Sequence, residues 1–140
     1  MLAMPRVLVI DDEVTVRISL RFVLEDLNLT IDEAPNGQEG LDLARRHRPD
    51  LILCDLDMPV MDGFETLAHV RRDPALQRIP FVVVTGKLNE GNERRARQAG
   101  AEGVLDKPFS CETVQHLVRA RLRTATAPPP QPGSATGQEP

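Results

Sequence analysis

The 140-residue chain has no Trp, no Tyr and only 4 Phe, so it lacks the aromatic pair that commonly sandwiches a flavin ring, and a flavin-binding role is disfavoured. Cysteine is equally scarce. Cys54 sits inside an apolar run and Cys111 stands alone, without the paired spacing of a metal site or redox motif, so both read as reduced packing residues. His47, His69 and His116 likewise show no metal-ligand spacing. There is no basic excess: 17 Lys and Arg against 21 Asp and Glu leave a net charge of −4, whereas a nucleic-acid binder needs cations for its phosphates. No nucleic-acid partner is expected. No apolar stretch approaches the ~20 residues that span a bilayer, and Met1 to Ile10 runs into Asp11 and Asp12 rather than a cleavage site. The expectation is a cytoplasmic protein with no membrane partner. The length argues for one domain and against most large enzymes.

What is present is ordinary globular material, 41% hydrophobic and 27% charged, enough for a packed core. Four short apolar runs, Val7 to Ile10, Leu51 to Cys54, Phe81 to Val84 and Val104-Leu105, are continuous rather than alternating. Continuous apolarity predicts parallel strands covered on both faces. Thr30 to Ala34 alternates in polarity and fits an edge strand. Between the strands lie segments of helical period. Val16, Leu20, Val23, Leu24 and Leu27 form one stripe, and further helices are predicted around Gly40 to Ala44, from Phe64 to Arg72, from Asn92 to Gln98 and from Glu112 to Arg123. The pattern is (βα) repeated five times, an α/β fold with helices on both sides of a parallel sheet. From Thr124 onward the chain holds 5 of its 12 prolines, one charge and no large apolar residue. This predicts a domain over 1–123 and a disordered Pro/Ala/Gly-rich tail or linker over 124–140.

Ligands in such sheets bind beyond the carboxyl ends of the strands, and reactive side chains stand there: Asp11-Asp12, Asp55, Thr85 and Lys107. Strands lie only ~4.8 Å apart, so adjacent first and third strands would crowd three carboxylates together. A hard divalent cation offsets that repulsion; the −3 of the acids, Lys107 and Mg²⁺ sum to zero, and without a cation at least one carboxyl should have a raised pKa. Each residue also has a plainer reading. The acids could cap a helix, Asp55 could open a turn with Asp57, Pro59 and Gly63, Thr85 could be a turn hydroxyl and Lys107 a solvated charge. Their coincidence favours a site.

The ordered set Asp11-Asp12, Asp55-Leu56-Asp57-Met58-Pro59-Val60-Met61-Asp62-Gly63, Thr85 and Lys107-Pro108-Phe109 resembles the receiver domain of bacterial response regulators over residues 6 to about 123. The resemblance implies a flavodoxin-like (βα)5 three-layer sandwich with strand order 2-1-3-4-5. It implies a domain of two-component signalling that accepts a phosphoryl group on Asp55 from the phosphohistidine of a sensor histidine kinase or a histidine phosphotransfer protein. It further implies Mg²⁺, replaceable by Mn²⁺, held by Asp11 through water, Asp12, Asp55 and the backbone carbonyl of Asp57. Lys107 and Thr85 would contact the phosphoryl oxygens, and Lys107-Pro108 would be cis. Such a domain is not an enzyme beyond its own phosphotransfer and dephosphorylation. It signals through a downstream protein target or through an output domain of its own that is missing here.

Several positions depart from that family's pattern. Val104 stands where an aromatic switch residue is usual, and Gly86 follows Thr85 where a small residue such as alanine is common, predicting a more mobile phosphate loop. Asp57 and Lys87 flank the expected pocket, with bulk solvent as their plainer destination. Arg94, Arg95, Arg97, Arg119, Arg121 and Arg123 form a basic set read mainly as a solvated face. A haloacid-dehalogenase-like phosphatase is the strongest enzymatic rival because of Asp55-Leu56-Asp57. Chain order opposes it, since in that family the Asp-x-Asp strand comes first. A degenerate receiver acting only as a binding module is opposed by the complete set of site residues.

Overall fold

Strands that are apolar on every residue need cover on both faces, and the computed structural model, which describes residues 4–126, supplies it. Five parallel strands, β1 (Arg6–Ile10), β2 (Thr30–Ala34), β3 (Leu51–Cys54), β4 (Phe81–Thr85) and β5 (Gly103–Asp106), form one sheet of order β2-β1-β3-β4-β5. Helices α1 (Val14–Leu24), α2 (Gly37–His47), α3 (Gly63–Arg72), α4 (Glu90–Gln98) and α5 (Cys111–Thr126) connect and follow the strands. This is the flavodoxin-like three-layer arrangement expected from the sequence.

Alternate strand residues fill two separate cores. Leu8, Ile10, Ile52, Cys54, Phe81 and Val83 meet Leu41, Leu67, Val70 and Ala96 from α2, α3 and α4. Val7, Val9, Leu51, Leu53, Val82 and Val84 meet Leu20, Val23 and Leu24 of α1 and Val114, Val118 and Leu122 of α5. In β2 only Ala34 is fully buried, as an edge strand with one wet face requires. No helix among the described residues is long and apolar enough to cross a membrane.

Helix boundaries differ from expectation in several places: α2 begins at Gly37 and α4 at Glu90, ahead of Gly40 and Asn92, and the ends of α1 and α5 shift as well. The stripe that reaches Leu27 does not belong to one helix. Regular α1 stops at Leu24, a 3-10 turn covers Glu25–Leu27, and Asn28 reverses the chain at φ 56°, a conformation that asparagine tolerates. At the other end α5 continues to Thr126, three residues past the boundary drawn at 123. The remainder of the proposed tail, 127–140, lies outside the described residues.

The loop from Asp55 to Gly63 is closed by Gly63 N–H donating to Leu56 C=O at 2.9 Å and by a capping box in which Asp62 and Glu65 each accept from the other's backbone N–H. A Cβ on Gly63 would land on the Asp55 carbonyl and within 2.7 Å of Leu56 Cα, so the backbone itself would have to move. Gly63→Ala should therefore cost roughly 2–3 kcal/mol in chemical denaturation. Gly86→Ala, whose Cβ meets only Lys107 Cβ at 3.8 Å, should change stability by less than ~1 kcal/mol.

Candidate functional site

Register brings the acids together. Ile10 pairs with Cys54, so Asp11 and Asp55 leave neighbouring strands side by side, with Asp55 N–H donating to Ile10 C=O at 2.9 Å. At the other edge Thr85 pairs with Asp106, and Lys107 N–H donates to Thr85 C=O at 2.9 Å. The resulting cleft of about 440 Å³ is lined by Asp12, Glu13, Asp55, Asp57, Thr85, Gly86, Lys87 and Lys107. The Lys107-Pro108 bond is cis, as the resemblance implied.

Lys107 is no solvated surface charge. Its Nζ donates to Asp11 Oδ2 at 2.8 Å, reaches Glu13 Oε1 at 3.4 Å and faces Asp55 Oδ2 at 3.5 Å. Burial works against its charge, but the hydrogen bond and charge of Asp11, reinforced by Asp55 and Glu13, leave its pKa raised overall. Asp55 is 4% exposed, and its Oδ1 accepts from Leu56 N–H at 2.8 Å. Burial and then the neighbouring Asp11 charge push the Asp55 carboxyl up to about 6, against the opposing pull of Lys107 and the backbone N–H groups of Asp57 and Leu56. One carboxyl pKa is raised, as expected, but burial contributes more to it than the crowding of charges does. Asp11, Asp12 and Asp55 can each offer an oxygen within 4.8 Å of one another, a donor set that suits Mg²⁺ or Mn²⁺.

Helix capping does not account for the acid pair. Glu13 is the N-cap of α1 and makes no side-chain cap bond, while Asp11 Oδ1 accepts from Glu13 N–H at 2.9 Å and turns the loop toward the cleft. Thr85 is fully buried as the last residue of β4, and its Oγ1 accepts from Lys87 N–H at 3.0 Å. Asp57 and Lys87 do lie at the solvent edge, yet they pair with each other at 2.6 Å. That bond chiefly lowers the Asp57 pKa and raises that of Lys87. Half-buried Val104 packs against the first core. Arg95 stacks 3.8 Å over Phe64 and Arg97 pairs with Glu93 one turn away at 3.2 Å, so two of the exposed basic set have partners on the chain's own surface.

Three features went unread in the sequence. Glu13 adds a third acid around Lys107, a signal available in the run Asp11-Asp12-Glu13. Val60 adopts φ 72° while Met61 N–H donates to Pro59 C=O at 2.7 Å, a strained γ-turn for a β-branched residue that no composition rule would place there. Val14, Ile18 and Phe22 form a second apolar stripe on α1, exposed by 54%, 59% and 75%.

Because Asp55 titrates above an ordinary carboxyl, its ionised form costs the native state free energy around neutral pH. That cost vanishes as pH falls through about 6 toward the unfolded value of 3.8. Asp55→Asn keeps the Oδ1 acceptor and removes the charge. In chelator it should gain on the order of 2–3 kcal/mol over the parent at neutral pH, and nothing in strong acid, by denaturant titration at each pH.

Comparison with known proteins bears on this geometry. The family model described as the response regulator receiver domain matches residues 7–119. The polar-differentiation response regulator DivK of Brucella anthropi is 36% identical over 115 residues, covering 82% of this chain and 93% of DivK. The chemotaxis protein CheY4 of Vibrio cholerae superposes with a TM-score of 0.80 at 32% identity, covering 84% of this chain and 98% of that structure. The receiver domain of the sensor histidine kinase PA1611 of Pseudomonas aeruginosa, solved with a magnesium ion coordinated in its active-site cleft, gives 0.79 at 25% identity over 86% of this chain and 98% of its own. The chain spans 49% of the length of a longer transcriptional regulator that it matches at 40% identity over 121 residues. A family match running from β1 into α5 decides the assignment: the chain belongs to the response regulator receiver domains, whose family function is phosphorylation-dependent signalling.

Proposed function

We propose that Asp55 is the phosphoacceptor of this receiver and takes its phosphoryl group from the phosphohistidine of a sensor kinase or histidine phosphotransfer protein. The observation that carries this reading is the place of Asp55, buried at the floor of the cleft with Oδ2 facing Lys107 Nζ at 3.5 Å. A carboxylate oxygen of Asp55 forms a bond to phosphorus as the bond between phosphorus and the donor imidazole nitrogen breaks, and the nitrogen keeps the electron pair. Little covalent work falls to the protein, so alignment and neutralisation of charge dominate. Lys107 turns toward a phosphoryl oxygen, and the Thr85 hydroxyl donates to another while still accepting from Lys87 N–H.

Mg²⁺ fits the remaining donors. Asp12 and Asp55 would bind it directly, Asp11 through water, and Asp57 through its backbone carbonyl. The bound ion would supply positive charge beside the phosphoryl oxygens. Including Glu13, four acids and Lys107 sum to −3, which the ion reduces to −1, and exposed Glu13 is more screened than buried Asp11 and Asp55. The protein would catalyse only its own phosphotransfer and dephosphorylation. The receiver would run through the end of α5 at Thr126, with a tail or linker after it. The phosphorylated form would bias a two-state surface toward a downstream protein or an output domain, in the cytoplasm where kinase domains act. Intact-mass analysis after exposure to acetyl phosphate should show one added phosphoryl group with Mg²⁺, far less in chelator, and none in Asp55→Ala. Labelling of Asp55→Ala equal to the parent refutes the assignment.

The same surface offers a place for the donor protein to rest. A groove lined by Val16, Pro108 and Phe109 shares Glu13 and Lys107 with the cleft, and the exposed stripe Val14, Ile18 and Phe22 lies beside it on α1. A partner that brings an imidazole to Asp55 must sit at this rim, and an apolar ridge of its own would cover the stripe. Ile18→Lys should slow transfer from a phosphorylated histidine protein by about tenfold and leave labelling by acetyl phosphate unchanged.

A further inference from the structure

The chain has 17 cationic side chains, of which only Lys87 and Lys107 are lysines. Both line the cleft. Arginine serves everywhere else, in pairs such as those of Arg17 and Arg21 with Glu33 and of Arg71 with Glu102. A lysine differs in carrying a compact charge on a flexible stem, suited to changing partners, whereas the planar fork of arginine suits a fixed one. Lys107 is already shared between Asp11 and Glu13. Lys87 is the less committed of the two, for its bond to Asp57 joins two side chains exposed by 73% and 65%, where solvent weakens the pair.

The backbone of Lys87 ties that charge to the rest of the switch region. Its N–H donates to Thr85 Oγ1 at 3.0 Å, and its C=O accepts from Asn92 Nδ2 at 2.8 Å. Asn92 belongs to the first turn of α4, and its own N–H donates to the Asn89 cap at 2.8 Å. Helix α4 is lightly anchored, with Ala96 its one buried residue, so a pull on its first turn meets little resistance. Lys87 lines the same cleft as Asp55, so the Asp55 carboxylate contributes to the field at its ammonium. Phosphorylation would strengthen that field, since a phosphoryl group carries about −1.5 to −2 of charge.

We propose that Lys87 is a second, exchangeable phosphoryl-binding residue, which leaves Asp57 for the phosphoryl oxygens once Asp55 is modified and draws the first turn of α4 with it. The inference rests on Asp55 being the acceptor. It supplies a route from the site to the surface that needs no aromatic ring at position 104, where Val104 has neither the reach nor the rotamers for one.

The test compares the wild type with Lys87→Met, Asp57→Asn and the double variant, following labelling by acetyl phosphate in Mg²⁺ by intact mass and hydrogen exchange over residues 89–93. Lys87→Met should slow labelling by about tenfold, the loss of one charge-assisted hydrogen bond. Asp57→Asn frees Lys87 and should accelerate labelling, but only while Lys87 is present. Exchange in the first turn of α4 should change on phosphorylation in the wild type and not in Lys87→Met. The proposal is overturned if Lys87→Met labels at the wild-type rate, or if both single variants shift the rate in the same direction, as a purely bracing ion pair would. It is equally overturned if Asp57→Asn accelerates labelling as much without Lys87 as with it. Failure of the wild type to label at Asp55 would remove the acceptor assignment itself. Normal wild-type labelling with an unaffected Lys87→Met removes only the role of Lys87.

Discussion

Two strands that end in carboxylates lie next to each other, and one lysine from a third strand answers both. The winding of the chain makes this contact. From β1 it passes outward to β2, then returns across β1 to add β3, β4 and β5 on the other side. The direction of winding therefore reverses between β1 and β3, which is where a doubly wound sheet opens a crevice at its carboxyl edge. Asp11 and Asp55 stand at the two lips of that crevice. Lys107 comes from the far edge of the sheet and reaches them through 2.8 Å and 3.5 Å contacts.

Such a site works against the stability of the fold that makes it. Asp55 is almost wholly buried beside a second acid, and its raised pKa measures the preference of the native state for the neutral form. The two cores on either side of the sheet offset this, with strand residues at or near zero exposure from Val7 to Ile10, Leu51 to Cys54 and Phe81 to Val84. The loop after β3 departs from local rules at two points. Val60 sits at positive φ, and Gly63 leaves no room for a side chain against the Asp55 carbonyl. Strain and close packing beside the Asp55 carboxyl are what a functional site there would show.

Strands β1, β3 and β4 were legible in the sequence because burial on both faces leaves a continuous apolar run in each, while edge strand β2 showed instead as an alternation of polarity. The site was legible because its residues terminate those strands. Charges that meet only through the fold were harder to read: nothing in the spacing of Asp57 and Lys87 says that the loops after β3 and β4 bring them to 2.6 Å. Helical periodicity was also ambiguous on α1, which carries one apolar stripe through Leu20, Val23 and Leu24 and another through Val14, Ile18 and Phe22. The first packs on the sheet and the second faces solvent. Arg17 and Arg21, which reach Glu33 on the edge strand, fix the rotation that decides between them. The end of α1 could not be read from the stripe either, because Leu27 still packs against the core from the 3-10 turn.

The two helices nearest the cleft differ in how firmly they are held, and the difference bears on signalling. Leu20, Val23 and Leu24 lock α1 into the second core, and Gln115 of α5 donates to its Val23 carbonyl at 2.9 Å. Such a helix holds its outer face in a well-defined position, which would suit the donor docking proposed above. Helix α4 has one buried residue and a first turn fastened to the loop that carries Thr85 and Lys87. Few buried contacts mean a small free-energy gap between alternative placements, and a small gap is what a local change of charge can reverse. The proposed input on the firmly packed helix and the proposed response in the loosely packed one would both follow from where the sequence places its large apolar side chains.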